Sequence, residues 1–209
     1  AAVEATNFGS YCNDSTYPFV YNTDTSGERI TQFISKFNNL KRIAFAFHGT
    51  SLIYYAPILF INNDFVFETD EFANIVMTDN YLFMKGLIQQ FSIENIDFLG
   101  CNLLKNYSWK VYFESLQSIG NVIIGASDDE TGNIKYGGDW TMENTSENIQ
   151  SIYFNSTIEN YNDLLLIILD QTRLTCRLHK LCMKIFKAIQ VIGERGGSDA
   201  FQLVPTFCR

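Results

Sequence analysis

A chain of 209 residues, 46% hydrophobic and 18% charged, holds enough apolar material for one ordinary α/β domain with a short extension, and its composition excludes wholesale disorder. The formal charge of −8 argues against a nucleic-acid binder, which needs a basic face to neutralise phosphates. The longest apolar run, Leu164–Leu169, is far shorter than the roughly 18 residues of a membrane span, so neither a transmembrane segment nor a signal peptide is expected in these residues.

Five scattered cysteines, Cys12, Cys101, Cys176, Cys182 and Cys208, offer no disulfide framework and no C-x-x-C zinc pair. Charge is unevenly placed. Residues 1–163 carry 8 Lys and Arg against 20 Asp and Glu, net −12, while residues 164–209 carry 7 against 3, net +4. All 19 asparagines also precede position 163. We therefore divide the chain into a domain over residues 1–165 and a compositionally distinct extension over 166–209: a separate module, an appended sequence or a shifted reading frame.

In chain order, Tyr17–Tyr21 is aromatic and β-branched and predicts a strand. Ser26 is a helix cap, followed by Ile30, Phe33, Ile34 and Phe37 at helical spacing. Ile43–Phe47 is an unbroken apolar strand ending at His48-Gly49-Thr50, the pattern of a strand covered on both faces. Ile58–Ile61 and Phe65–Phe67 around Asn62-Asn63-Asp64 predict a hairpin, and Glu71–Met77 and Asn80–Phe91 predict helices. Asn95–Leu99 is the next apolar strand and runs into Gly100-Cys101. Trp109, Tyr112, Phe113, Leu116 and Ile119 share a helix face, Asn121–Ala126 is a strand ending at Ser127-Asp128-Asp129, and Ile149–Phe154 is a last strand before a helix from about Thr157.

In the extension, Leu174, Leu178, Leu181, Ile185, Ala188 and Ile192 recur every three or four residues. Arg173, Arg177, Lys180, Lys184 and Lys187 stand one position earlier. This predicts an amphipathic helix over 173–192 with a basic stripe, suited to an anionic membrane surface, a partner groove or the chain's own acidic domain. Gly193–Ser198 then reads as a flexible break.

Strands alternating with helices predict an α/β fold, a mostly parallel sheet with helices on both faces, whose reactive groups gather beyond the carboxyl ends of the strands. Three strand ends qualify: His48-Gly49, Gly100-Cys101 and Ser127-Asp128-Asp129. His48 and Cys101, 53 residues apart, are the residue types of a nucleophilic pair. An imidazole and local positive potential raise the thiolate fraction, and the imidazolium can protonate a leaving amine. The N–H groups of Gly49 and Cys101 can form an oxyanion hole. Asp128 and Asp129 can bind a basic substrate side chain through charge-assisted hydrogen bonds, or simply form a turn. Asp128–Asn133 does not match the EF-hand calcium loop, whose pattern with its glycine and terminal Glu is missing, so no metal and no cofactor is expected.

Apolar strand, His-Gly, about fifty residues, apolar strand, Gly-Cys: this arrangement (His48-Gly49 and Gly100-Cys101) resembles the clan CD cysteine peptidases, which include caspases, legumains, gingipains and clostripains. Gly100–Asn102 followed by Gly125–Glu143 (GASDDETGNIKYGGDWTME) is similar to a caspase-like domain family of large bacterial adhesin-type surface proteins, over about Tyr17–Leu165. The resemblance implies a caspase-like three-layer sandwich, with His48 as general acid/base and Cys101 as nucleophile acting on a peptide or protein substrate. It also implies that Asp128 and Asp129 lie near the pocket for the residue before the cleaved bond. Leu99–Leu103 departs from the caspase pentapeptide, so cleavage after Asp does not carry over. The expected activity is a cysteine endopeptidase, preferring basic residues or processing itself. The alternative is a silent caspase-like scaffold or structural component, for instance of a viral particle or a surface assembly, that keeps the dyad without using it.

Overall fold

The computed structural model describes residues 8–50, 60–62, 64–167 and 187–195. Its centre is a five-stranded sheet. Strand β1 (Thr16–Tyr21) leads to helix α1 (Gly27–Ile34), started by the Ser26 side chain, which accepts from the Arg29 N–H. Then follow β2 (Phe37–Phe47), a two-residue strand β3 (Gly49–Thr50), helix α2 (Asp79–Phe91) and β4 (Asn95–Leu99). Helix α3 (Tyr107–Gln117) and β5 (Ile123–Ala126) complete the parallel half. Short strands β6 (Thr141–Met142) and β7 (Glu147–Asn148), a single helical turn α4 (Gln150–Tyr153), β8 (Leu166–Ile167) and β9 (Lys187–Arg195) end the described chain.

The sheet order is β1-β9-β2-β4-β5. β2, β4 and β5 run parallel, whereas β9 pairs antiparallel with both β1 and β2. The fold is α/β: β1, β2, β4 and β5 all point the same way, and β9 alone runs against them.

Alternation along β2 explains why an unbroken apolar run was needed. Ile43, Phe45 and Phe47 join a cluster with Ile30, Met84, Phe98, Trp109 and Tyr112, from α1, α2, β4 and α3. Ala44 and Ala46 join a second cluster on the opposite side with Leu99, Cys101, Trp140, Met142, Tyr153 and Leu165. Successive strand residues point to opposite faces, so a strand covered twice is apolar at every position.

One charged group interrupts this second layer. Asp97, 1% exposed in β4, accepts from Arg42 Nε at 2.7 Å and from the Tyr153 hydroxyl, while Arg42 also pairs with Glu147. Burial pushes the Asp97 carboxyl up, against the pull of Arg42. Gly125 on β5 makes room for it: a Cβ there would stand 2.1 Å from Asp97 Oδ1.

Several sequence expectations are corrected. Ile149–Phe154 is not a strand: α4 forms there because Ile149 and Tyr153, four apart and both fully buried, share one helical face. Glu71–Met77 is not a helix. The Asp70 carboxylate takes the Phe72 and Asn74 N–H groups, closing a turn flanked by the Thr69–Ile75 bridge. The hairpin expected around Asn62 lies partly outside the described residues, at 58, 59 and 63; the described part forms a turn, with Phe60 N–H to Asp64 O at 2.7 Å. Residues 187–192, expected to end the amphipathic helix, form β9, and so do Gly193–Arg195, expected to be a break. β-branched Ile189, Val191 and Ile192 suit a strand that hydrogen-bonds on both edges, and Val191 is fully buried. Residues 173–186 of that expected helix lie outside the described residues.

Candidate active site

β2 and β4 are adjacent and parallel, with Ala46 opposite Leu99. His48 is two residues beyond Ala46 and Cys101 two beyond Leu99, so both leave the sheet at the same edge. The two strand ends are closely packed: a Cβ on Gly100 would meet the Phe47 ring at 2.9 Å and the Phe47 carbonyl oxygen at 3.2 Å. Glycine is therefore required before the cysteine. His48 is buried at 8% exposure and Cys101 at 1%.

The thiol is held by one residue of the loop after β5. The Thr131 N–H donates to Cys101 Sγ at 3.2 Å, and Sγ–H donates to the Thr131 carbonyl at 3.5 Å. Burial pushes the Cys101 thiol from an ordinary 9.0 up to about 12, opposed by the Thr131 N–H and reinforced by the carboxylates of Glu130 and Asp129. The positive potential that a reactive thiolate wants is absent from these influences, so the sulfur is a protonated thiol at neutral pH.

The two expected oxyanion donors sit at this edge, but one is occupied. The Cys101 N–H donates to the Leu165 carbonyl at 3.3 Å. Gly49 lies in β3, which pairs in parallel with β8, Gly49 opposite Leu166 and Thr50 opposite Ile167.

Residues 9–165 match a family model described as a domain of unknown function, DUF4347. The chain belongs to the DUF4347 family. No curated protein and no solved structure matches it. The matched DUF4347 region contains β1–β7, His48, Cys101 and Thr131, and it stops short of β8 and β9.

Asp128 and Asp129 lie beyond β5 in the DUF4347 domain, on the loop that also carries Thr131. The Asp128 N–H donates to Glu143 Oε2, and the Asp129 carboxylate accepts from Ser127 Oγ at 3.0 Å. Both line an open depression with Leu104, Lys105, Lys110 and Glu143. Burial, with Asp139, Asp128 and Glu130 nearby, pushes the Asp129 carboxyl up. Asp129, Asp139 and Glu143 bring ligand atoms within 4.8 Å of one another, which a cation could use. Glu143 and Asp139 are nonetheless tied to the Asp128 and Thr141 N–H groups and serve these turns.

Two residues that matter at the DUF4347 site went unnoticed in the sequence. Thr131 brackets the sulfur, and its own buried Oγ1 has no partner among the described residues. Its only signal was membership of the distinctive Gly125–Glu143 stretch. Leu165 gave none, since its hydrogen bonds to the site are main-chain bonds to residues far away in sequence.

Proposed function

We propose that this domain is a cysteine endopeptidase of caspase-like design, with Cys101 as nucleophile and His48 as general acid/base. The observation that carries the reading is the parallel register of β2 and β4, which sends His48 and Cys101 out of the same sheet edge from neighbouring strands. In the proposed reaction His48 takes the thiol proton and Sγ attacks the substrate carbonyl carbon. The resulting oxyanion is met by the N–H groups of Cys101 and Gly49. The C–N bond then breaks as His48 returns the proton to the leaving amine, and water hydrolyses the thioester. Asp128 and Asp129 line a depression that Lys105 and Lys110 already share, so the proposal carries no preference for basic residues.

The burial of Cys101 and its raised thiol pKa favour a second reading, a catalytically silent scaffold of the same design. A peptide library incubated with the full chain and with Cys101→Ala and His48→Ala separates the two. The peptidase reading expects cleavage that both substitutions reduce by about a hundredfold or more. Cleavage that survives Cys101→Ala removes the cysteine from the mechanism, and equal inactivity of all three chains supports the scaffold.

A further inference from the structure

The segment that follows a 3₁₀ turn (Ser156–Asn160) runs past the candidate site, bending at Asp163 and Leu165 before it enters β8. The Asp163 carbonyl accepts from the Asn133 N–H at 3.4 Å, and Leu164 bridges antiparallel to Gly132. The Leu165 N–H donates to the Thr131 carbonyl at 2.8 Å, and the Leu165 carbonyl accepts from the Cys101 N–H at 3.3 Å. Leu166 and Ile167 then run alongside Gly49 and Thr50. Five consecutive residues thus trace a line from the Thr131 loop, over the cysteine amide, to the segment that follows His48.

Two features make this more than ordinary packing. The Thr131 carbonyl accepts from both the Cys101 thiol and the Leu165 N–H, so the segment and the sulfur are tied to one atom. The main-chain donor that a scissile carbonyl would need is filled by the carbonyl of Leu165. The Leu165 side chain is fully buried in the apolar cluster that contains Ala46, Leu99, Cys101, Trp140 and Met142. Peptides recognised by strand addition are held in this way, with main-chain bonds supplying affinity and alternate side-chain pockets supplying selectivity.

We infer that Asp163–Ile167 occupies, within its own chain, the path of an extended peptide substrate, and that the subsite next to Cys101 accepts an aliphatic side chain of leucine size. This inference rests on the peptidase reading for its catalytic consequence, but not for the occupancy itself. A substrate must displace the segment, free the Cys101 N–H and the Thr131 carbonyl, and seat its own aliphatic residue where Leu165 lies. Displacement also hydrates the sulfur, removing the main cause of its raised pKa.

The experiment uses the full chain and Leu165→Asp, in which a carboxylate opposes docking into the apolar cluster. Alkylation by iodoacetamide is followed at Cys101 by peptide mapping, which separates it from the other thiols. The expected result is alkylation of Cys101 about tenfold or more faster in Leu165→Asp, with leucyl peptides cleaved in preference to arginyl ones. Because the substitution is at a buried site, hydrogen exchange on the unsubstituted chain provides a second measure. The Cys101 and Leu165 amides should exchange together and about tenfold faster than those of Phe98 and Leu99 in β4. Faster alkylation without cleavage of any peptide would keep the occupancy and discard the peptidase reading. Unchanged alkylation in a folded Leu165→Asp, or Cys101 and Leu165 amides that open only with β4, would overturn the occupancy. Preferential cleavage of arginyl peptides would overturn the aliphatic subsite.

Discussion

Arg42 reaches across β4 to a carboxylate that is 1% exposed and sends its other nitrogens to Glu147. Removing one partner of such a pair leaves the other charge buried, which costs far more than the pair itself contributes. Arg42→Met should lower stability by about 3–5 kcal/mol in urea unfolding, and Gly125→Ala should act in the same direction by displacing Asp97. Cys101 makes a separate prediction. Its folded pKa of about 12 exceeds the ordinary 9.0, so the folded state holds its proton more tightly than the unfolded chain does. The stabilisation is complete below about pH 9 and is lost as pH rises toward 12. Cys12, also raised by burial to about 12, acts in the same direction. Cys101→Ala should therefore flatten part of the alkaline loss of stability, measured as the urea midpoint between pH 8 and 11. The placement of His48 and Cys101 at one sheet edge was legible because each follows an apolar run beside a glycine. The state of the sulfur was not, because it depends on Thr131 and Leu165, which reach it only through the tertiary fold.

Elements with local instructions were the readable ones. Asn95–Leu99 and the Ser26-capped helix carry their own period and cap, and both form, although the helix ends at Ile34 and Phe37, expected on its face, opens β2. Helix α3 is similar: the Asn106 side chain accepts from the Ser108 and Trp109 N–H groups and starts the helix that presents Trp109, Tyr112 and Phe113 to the sheet. Asn106→Ala should cost about 1 kcal/mol in urea unfolding, with helicity otherwise retained. Glu71–Met77 was misread through a local turn on Asp70, whereas two other misread elements are decided by distant partners. Residues 185, 188 and 192 fit a helical stripe, yet Ile189 and Val191 also fit strand alternation, and pairing with β1 and β2 decides between them. Ile149–Phe154 has strand-like composition but folds as a helical turn over the second apolar cluster.

For the molecule as a whole, β9 has the largest consequence. It lies between β1 and β2, and among the described residues it is the only strand paired with β1. The sheet is thus completed by residues beyond the DUF4347 match, which stops at residue 165. Val191→Asp would bury a carboxylate between the two layers, and it should lower stability by several kcal/mol. A chain lacking 187–195 should expose the edges of β1 and β2 and associate on size-exclusion chromatography. A monomeric chain with unchanged urea stability after that deletion would show that β9 is dispensable. The uneven charge and the end of the asparagines at position 162 marked where the composition changes, but composition could not show that the later segment enters the sheet.

The central claim is a working pair, one imidazole and one thiol delivered by neighbouring parallel strands, and mass spectrometry of a covalent adduct tests it most directly. The full chain, with Leu165→Asp in parallel, is incubated with a leucyl peptide chloromethyl ketone, whose chloride leaves as a thiol sulfur bonds the methylene carbon, and the modified residue is mapped. The account predicts a thioether on Cys101, formed faster in Leu165→Asp and at least about tenfold slower when His48→Ala is added. An adduct rate on Cys101 that does not change with His48→Ala, or an adduct on another cysteine alone, would contradict it.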